Sequence, residues 1–323
     1  MKKQAIAQKN LLYFKVPKLP FIVPNDVQFI NIDYAELSDE IWELEGKDAK
    51  VCLEKIRQAS KTTLKTYANC WAGAITGYDD ALMFDIGADT TIEDDLLISV
   101  VRAEGCSRYG EAKPTKKIFY PYREVGEDTQ IIPIDEIKNN YPLAYDYIMQ
   151  YEKALKDRKD SRKTFGDRVG WYGLIRFGKL SRFRQEKIVS PGEVKHNKFC
   201  IDTTGSAFSC ARVFSVNIEN DEMNIRYLLA ILNSKVSEFY LHKTTAVKAG
   251  GYYSYSSTAL NALPVVLSKE YEKQIIDLSE EIMQKTKLGE DTEESERKID
   301  EIVYTIYGLN DEDIKVIERE LAG

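Results

Sequence analysis

The sequence predicts an α+β protein with a twisted, β-rich body and packed helices, followed by an α-helical C-terminal segment. Short apolar runs alternate with glycine and aspartate over residues 67–134, a pattern that is typical of strands joined by turns. Apolar residues recur at three- and four-residue steps over 134–157 and 225–240, which indicates amphipathic helices. The same helical period continues over 268–321, so the C-terminal segment is expected to be helical.

The N-terminal part of the chain is predicted to be an arm. Pro17, Pro20 and Pro24 interrupt every helical period within residues 1–47, because proline lacks a backbone donor and fixes its own φ angle. Apolar side chains then recur over 47–66. That recurrence predicts one amphipathic helix, which connects the arm to the body.

Turn and cap signals set the order of the later elements. Three strand-like apolar runs are expected in the second half of the body, at 187–190, 198–201 and 210–216. Thr203-Thr204-Gly205-Ser206 supplies a turn. Pro142 suits the first turn of a new helix, which predicts a helix break near Asn140. Gly308 is placed to end one C-terminal helix and Asn310 to cap the next.

Charge divides the chain as clearly as hydropathy does. The 323 residues hold 45 Lys and Arg against 52 Asp and Glu, a net charge of −7, which by itself would argue against a nucleic-acid partner. Residues 153–198, however, hold fourteen Lys and Arg against five acids, and 266–323 hold eight against seventeen, balances of +9 and −9. Three parts are therefore predicted: an arm and connecting helix over 1–66, the body over 67–265, and an acidic helical segment over 266–323.

Several functional classes find little support in the sequence. No apolar run reaches the roughly 18–20 residues of a membrane span, and five cysteines without framework spacing fit a reducing, cytoplasmic location. Gly-rich phosphate loops and the Gly-x-Ser-x-Gly elbow do not occur. His196 and His242 are the only histidines, and neither has a partner at catalytic or zinc-binding spacing. No catalytic or metal-binding residue is assigned, although Glu193 and Lys195 keep a metal-dependent nuclease open as an alternative.

Two clusters suit contact with nucleic acid. The first consists of basic side chains in an aromatic-rich stretch, namely Arg168, Arg176, Lys179, Arg182 and Arg184. The second is rich in glycine and tyrosine and comprises Lys243, Lys248, Gly250, Gly251, Tyr252, Tyr253 and Tyr255. Cations contact phosphates and guanine edges, aromatic rings stack on bases, and paired glycines let a backbone approach closely. The alternatives are a solvated helix face for the first cluster and, for the second, a hinged loop whose tyrosines fold onto the core.

Short stretches in a distinctive order span about residues 60–310. They are Ala72-Gly73-Ala74-Ile75-Thr76-Gly77-Tyr78-Asp79-Asp80-Ala81, Val101-Arg102, Arg108-Tyr109, Ile118-Phe119-Tyr120-Pro121-Tyr122, Tyr141-Pro142-Leu143-Ala144-Tyr145, Trp171-Tyr172, Lys187-Ile188-Val189-Ser190-Pro191, Asp202-Thr203, Leu232-Asn233-Ser234-Lys235, Phe239-Tyr240, Gly250 to Ser256, Leu263-Pro264, Ile299 to Tyr304, and Tyr307-Gly308-Leu309. In this order they resemble the TaqI-like C-terminal specificity domain of type IIG restriction-modification enzymes and related N6-adenine DNA methyltransferases.

The resemblance implies a DNA target recognition domain over 67–265, which helps to select a short sequence for a methyltransferase or endonuclease. In such enzymes a neighbouring catalytic domain binds S-adenosylmethionine and flips the target adenine out of the duplex. The Asn-Pro-Pro-Tyr motif that holds the adenine is absent here, and Asn261-Ala262-Leu263-Pro264 does not replace it. The chain is therefore expected to bind no cofactor and to be inactive alone. Its expected partners are double-stranded DNA and a methyltransferase or nuclease domain or subunit. A protein-interaction module that uses the helices of 268–321, without DNA contact, is the alternative.

Overall fold

The computed structural model describes residues 10–13, 30–33, 46–160, 163–166, 168, 170–208 and 213–322. Most of the predicted arm lies outside these ranges, as do residues 210–212 of one predicted strand. Within the arm, the strands β1 (Asn10–Tyr13) and β2 (Ile30–Asp33) pair antiparallel with each other.

Strands and helices are mixed through the rest of the chain, which confirms the predicted α+β class. The strands are β3 (Ala68–Ala72), β4 (Met83–Asp85), β5 (Leu97–Val101), β6 (Pro114–Phe119), β7 (Tyr122–Val125), β8 (Asp128–Ile131), β9 (Lys159–Asp160), β10 (Lys163–Thr164), β11 (Lys187–Pro191), β12 (Glu193–Val194), β13 (Cys200–Asp202), β14 (Ala207–Phe208), β15 (Val213–Ile218), β16 (Ala246–Lys248) and β17 (Tyr252–Ser254). The helices are α1 (Lys47–Ala59), α2 (Leu64–Tyr67), α3 (Asp79–Leu82), α4 (Ile134–Asn140), α5 (Pro142–Gln150), α6 (Glu152–Lys156), α7 (Leu180–Arg184), α8 (Ile225–Asn233), α9 (Lys235–Thr244), α10 (Ser257–Asn261), α11 (Glu272–Leu288), α12 (Glu293–Ile306) and α13 (Asp311–Ala322). In the described ranges, none of these helices has the length and apolar character needed to cross a membrane.

A four-stranded antiparallel sheet, in the order β13-β11-β15-β3, divides the interior into two hydrophobic cores. Side chains alternate between the two faces of a strand, so neighbouring residues enter different cores. In β11, Ile188 packs in the first core and Val189 in the second. In β13, Ile201 and Cys200 divide in the same way. The sheet is therefore buried on both faces.

The first core lies between this sheet and a layer of helices. It contains side chains from α1, α8, α9, α11, α12 and α13. Helix α11 packs against α8, and α13 packs against both α9 and α1. The acidic segment of 266–323 thus shares a core with the body, and the boundary drawn at residue 265 stays a prediction.

The second core lies on the opposite face of the central sheet. A smaller sheet, in the order β14-β5-β6-β4, and the helices α4–α6 contribute to it. Aromatic rings fill part of this core: Tyr120 lies 4.8 Å from Tyr122 and 6.0 Å from Phe183, measured between ring centroids. This half of the molecule carries most of the first predicted DNA-contact cluster.

The helix predicted over 47–66 is wrong in its length. α1 ends at Ala59, and a separate short helix, α2, follows. Between them the chain is held by long-range hydrogen bonds, because Ser60 Oγ and Thr62 Oγ1 donate to the carbonyl of Val265 at 2.7 and 2.9 Å. No local pattern reveals that break, since Ser60 and its partner are 205 residues apart.

The helix predicted over 225–240 is broken at Ser234, which separates α8 from α9. Ser234 is extended, and its hydroxyl accepts a hydrogen bond from the Ser237 N–H. Asp300 of α12 accepts from the N–H of Lys235 at 2.8 Å. Two acceptors therefore satisfy the free donors at the start of α9, as helix caps do.

The predicted helix break near Asn140 and the predicted caps at Gly308 and Asn310 are confirmed. α4 ends at Asn140 and α5 begins at Pro142. Gly308 follows α12 with a φ angle of 64°. The side-chain oxygen of Asn310 accepts from the N–H of Asp313 at 3.0 Å at the start of α13. These signals are local, so the sequence alone reveals them.

Asp300→Asn should stabilise the protein at neutral pH but not at acidic pH. Burial raises the pKa of Asp300 to about 6, although the Lys235 N–H and nearby cations oppose the shift. A carboxyl group whose pKa is higher in the folded state than in the unfolded state favours folding while it is protonated. This contribution is complete below the pKa of the unfolded state and is lost as the pH rises through the pKa of the folded state. Asparagine can still accept from Lys235 and stays neutral. We expect a gain of up to about 3 kcal/mol at pH 7 that disappears near pH 4.

Urea denaturation at several pH values between 4 and 7 measures this difference. Glu301→Gln is the matched control, because Glu301 lies on the same helix but is exposed. The assignment of the pH dependence to Asp300 is wrong if the gain is the same at every pH, or if the control shows it too.

Candidate nucleic-acid interface

Parts of both predicted DNA-contact clusters lie at one end of the central sheet. β3 and β11 run in the same direction, because each pairs antiparallel with β15 between them. The register places Ala72 opposite Phe214 and Pro191 opposite Val213, so the two strands end at the same level. They are two strand spacings apart, roughly 10 Å. The loop 73–78 after β3 and the strand β12 after β11 therefore leave the sheet side by side.

The Gly-rich, Tyr-rich stretch forms a β-hairpin. β16 and β17 pair antiparallel and are joined by a turn in which Gly250 and Gly251 have φ angles of 80° and 76°, values that favour glycine. β12 pairs with β17 and completes a three-stranded sheet. Val247 is 62% exposed and Tyr252 is 42% exposed. The hairpin thus presents apolar and aromatic surface to solvent.

Three lysines near the hairpin differ in their surroundings. Lys248 forms an ion pair with a carboxylate of β12. Lys195, which the sequence analysis did not select for DNA contact, has its Nζ 5.3 Å from the centroid of the Tyr252 ring. The side chain of Lys243 is only 4% exposed and pairs with Glu320 of α13. Lys195 and Lys248 are therefore available at the surface, whereas Lys243 is not.

The other two tyrosines of the hairpin face inward, as in the alternative considered for this stretch. Tyr253 stacks on His242, with ring centroids 3.5 Å apart and planes 6° from parallel. Tyr255 is 3% exposed, and its hydroxyl donates to the side-chain oxygen of Asn197. The Asn197 amide donates in turn to the carbonyl of Leu232 at 2.6 Å. Tyr255 therefore does not lie at the surface; it holds the base of the hairpin against α8.

Asn197 joins the hairpin to the helical layer. Its N–H donates to Glu238 at 2.8 Å, and its carbonyl accepts from Arg108 Nη1 at 3.0 Å. Arg108 also donates from Nε to Glu296 at 2.7 Å and from Nη2 to the Asn233 carbonyl at 2.6 Å. All four polar groups of Asn197 are occupied, and a fully satisfied buried network of this kind makes a structure rigid.

The first cluster begins next to the loop 73–78. Arg176 and Ile75 exchange two backbone hydrogen bonds, of 2.7 and 3.1 Å. Phe177 is 37% exposed, Arg176 is exposed, and Lys179 is partly exposed. Among the residues that the structure describes, Arg176 and Lys179 have no ion pair with a carboxylate. Their charges are available to an outside partner.

Arg168 contacts an aromatic ring. Its guanidinium carbon is 4.4 Å from the centroid of the Phe165 ring, and it pairs with Asp160 at 3.5 Å. Arg158 contacts the same ring at 4.6 Å. Arg158 is 6% exposed and donates to the carbonyl of Thr76 within the loop. The ring of Phe165 thus separates a surface arginine from a buried one.

Arg182 and Arg184 already have partners within the protein. The guanidinium carbon of Arg182 is 3.4 Å from the centroid of a Trp71 ring, and burial lowers its pKa. Arg184 is 64% exposed but pairs with Glu124 at 2.5 Å. It lines a cavity of about 400 Å³ together with Tyr122 and other side chains. Contact with DNA would require these two arginines to exchange partners.

The positive surface is smaller than the charge of 153–198 suggests. Arg158 and Lys187 are buried, and other basic residues of the segment pair with acids, as Lys156 does with Glu152. Phe177 belongs to the aromatic residues of the basic stretch but was not among the predicted contact residues, and Lys195 was weighed only for the nuclease alternative. The signal for both was their place beside basic and aromatic neighbours in the sequence.

Glu193 and Lys195 do not form the centre of a metal site in the described structure. Glu193 is engaged by Lys248. Within the described ranges, no three His, Cys, Asp or Glu side chains converge as metal ligands would. His196 instead contacts Glu238, with Nδ1 2.8 Å from Oε1.

Residues 128–265 match the family model of the TaqI-like C-terminal specificity domain, which confirms the resemblance predicted from the sequence. The chain is 27% identical over 165 residues to RM.Eco57I of Escherichia coli, a type II restriction enzyme and methyltransferase. That alignment covers 49% of this chain and 16% of the relative, so it spans less than a fifth of that protein. M.MjaIV of Methanocaldococcus jannaschii, a type II methyltransferase, is 24% identical over 265 residues, which cover 79% of this chain and 84% of the relative.

The fold of this chain also resembles that of solved structures of larger enzymes. One of them is the type IIL restriction-modification enzyme MmeI in complex with DNA, with a TM-score of 0.55 and 12% sequence identity. The superposition covers 81% of this chain and 36% of that chain. At this identity the likeness concerns the fold alone.

Proposed function

We propose that this chain, whose residues 128–265 match the family model of the TaqI-like C-terminal specificity domain, is a sequence-specific DNA recognition module. It directs an N6-adenine methyltransferase or endonuclease to its target site. One observation supports the proposal above all. The turn that contains Arg176, which is bonded to the loop 73–78, and the hairpin that bears Tyr252 lie at the same end of the central sheet. Unpaired cations beside exposed aromatic rings suit phosphates and bases.

We assign catalysis to a separate domain or subunit that binds S-adenosylmethionine. Support comes from the sequence, which has neither the Asn-Pro-Pro-Tyr motif nor a Gly-rich cofactor loop. The partners are then double-stranded DNA and that catalytic part. A cytoplasmic location suits the cysteines, because the four described ones are buried and form no disulfide.

Reversing two charges, in Arg176→Glu/Lys179→Glu, should weaken binding to duplex DNA of random sequence by roughly 10-fold or more at moderate salt. Each lost phosphate contact should also reduce the slope of log affinity against log salt by about 1. Fluorescence anisotropy of a labelled duplex between 50 and 200 mM salt measures both quantities. Lys273→Glu is the matched control, since Lys273 is an exposed lysine of α11 that has no described ion pair.

The outcomes distinguish a DNA recognition module from a protein-interaction module that does not contact DNA. Salt-independent binding by the wild type, or equal losses in the double variant and the control, would contradict DNA contact at this surface. Absence of DNA binding together with capture of a methyltransferase subunit would favour the protein-interaction module instead.

A further inference from the structure

A rigid turn keeps one aromatic side chain in contact with solvent. Phe177 stands between Arg176 and Lys179 and is 37% exposed. The Tyr120 hydroxyl donates to the carbonyl of Phe177 at 2.9 Å, and Arg176 is bonded through its backbone to Ile75. The turn is therefore held on both sides of the exposed ring.

The Phe177 ring is also supported from behind. It stacks on Tyr122, with centroids 4.7 Å apart and planes 23° from parallel. The Tyr122 hydroxyl accepts from the Leu174 N–H at 2.7 Å, which fixes that supporting ring. Gly178 has a φ of 69°, and a Cβ there would lie 2.5 Å from the Phe183 ring. Refolding the turn to bury Phe177 would break these contacts, so the ring stays at the surface.

Resting on the DNA-recognition function above, we propose that Phe177 is a wedge that packs against an unstacked base step of the bound duplex. Arg176 and Lys179 contact the phosphates on either side of that step. Apolar side chains that enter a base step unstack it at a cost of a few kcal/mol. The cost is lower at flexible pyrimidine–purine steps and at mispaired bases. The module therefore reads deformability at this step as well as hydrogen bonds elsewhere.

A mismatched duplex tests the wedge, because its central step is already partly unstacked. We expect the wild-type chain to bind it about 10-fold more tightly than the matched duplex of the same sequence. Phe177→Ala should reduce that ratio to within about twofold and keep the salt dependence, because the phosphate contacts remain. Phe177→Trp should keep the preference. Leu288→Ala, which truncates a 71% exposed leucine of α11, is the control and should behave as wild type.

The wedge is overturned if Phe177→Ala keeps the full preference for the mismatched duplex. It is also overturned if the wild type binds both duplexes equally. In either case, salt-dependent binding of the matched duplex leaves the DNA-recognition function standing. Absence of wild-type binding to any duplex overturns both.

Discussion

Lys187→Met should lower the free energy of unfolding by about 3–5 kcal/mol. Lys187 and Asp202 are paired across β11 and β13, with Nζ 2.6 Å from Oδ2 and both side chains fully buried. The ammonium also donates to the Phe183 carbonyl at 2.6 Å. Burial lowers the pKa of Lys187, and the charge of Asp202 opposes that shift. Methionine replaces the lysine stem but leaves the carboxylate buried without a counter-charge, which is the main source of the loss.

A second substitution separates charge from packing. Lys187→Met/Asp202→Leu removes both charges, so it should recover at least about half of the loss. Urea denaturation of the wild type and of both variants gives the three stabilities. Lys198→Met, in the same segment but partly exposed, should change stability by less than about 0.5 kcal/mol. If the double variant is as unstable as the single one, the loss comes from packing and not from the unpaired carboxylate.

Arg158→Met should cost about 4 kcal/mol or more, because four backbone carbonyls would lose a donor. The buried guanidinium donates to Leu155 at 2.9 Å, to Trp171 at 2.6 Å, to Gly173 at 2.7 Å, and to Thr76. It has no carboxylate partner among the described residues, and burial lowers its pKa to about 10. Its role is to join α6, the loop 73–78 and the stretch that leads to Arg176.

Hydrogen exchange distinguishes this role from a general loss of stability. Residues 73–77 and 171–176 should exchange faster in Arg158→Met under conditions where α11 remains protected. Arg158→Lys should rescue little, because an ammonium cannot reproduce the planar fork of donors. Lys153→Met, an exposed neighbour, should leave exchange unchanged. Unaltered exchange in both loops of Arg158→Met would show that Arg158 does not hold them.

Local signals predicted the parts of the fold that depend on neighbours in sequence. The break before Pro142 and the cap at Asn310 are of this kind. The break at Ser234 was not predicted, although serine is a common capping residue and its hydroxyl accepts from the Ser237 N–H. The second acceptor of that cap, the carboxylate of Asp300, is 65 residues from Lys235, so this part of the cap has no local signal.

The sequence predicted which types of residue occur in the candidate site, but not which of those side chains are exposed to solvent. A count of charges treats Arg158 and Lys187 as equal to Arg176, although the first two are buried and only the third lies at the surface. Tyr252 and Tyr255 also look alike in sequence, yet one is 42% exposed and the other 3%. Exposure depends on which strand face a residue occupies, and that requires the register of the whole sheet.

The two faces of the central sheet pack into different cores, and this limits which parts of the chain can be exchanged with a relative. Val189, Cys200 and Val213 belong to the second core, while Ile188 and Ile201 belong to the first core. No single crossover in the gene separates these two sets, because they alternate residue by residue. A chimera that receives the second core of a relative would need individual substitutions at every second residue of β11, β13 and β15, because the residues between them pack in the first core. Families built in this way should therefore diversify their specificity through surface loops more readily than through exchange of whole segments.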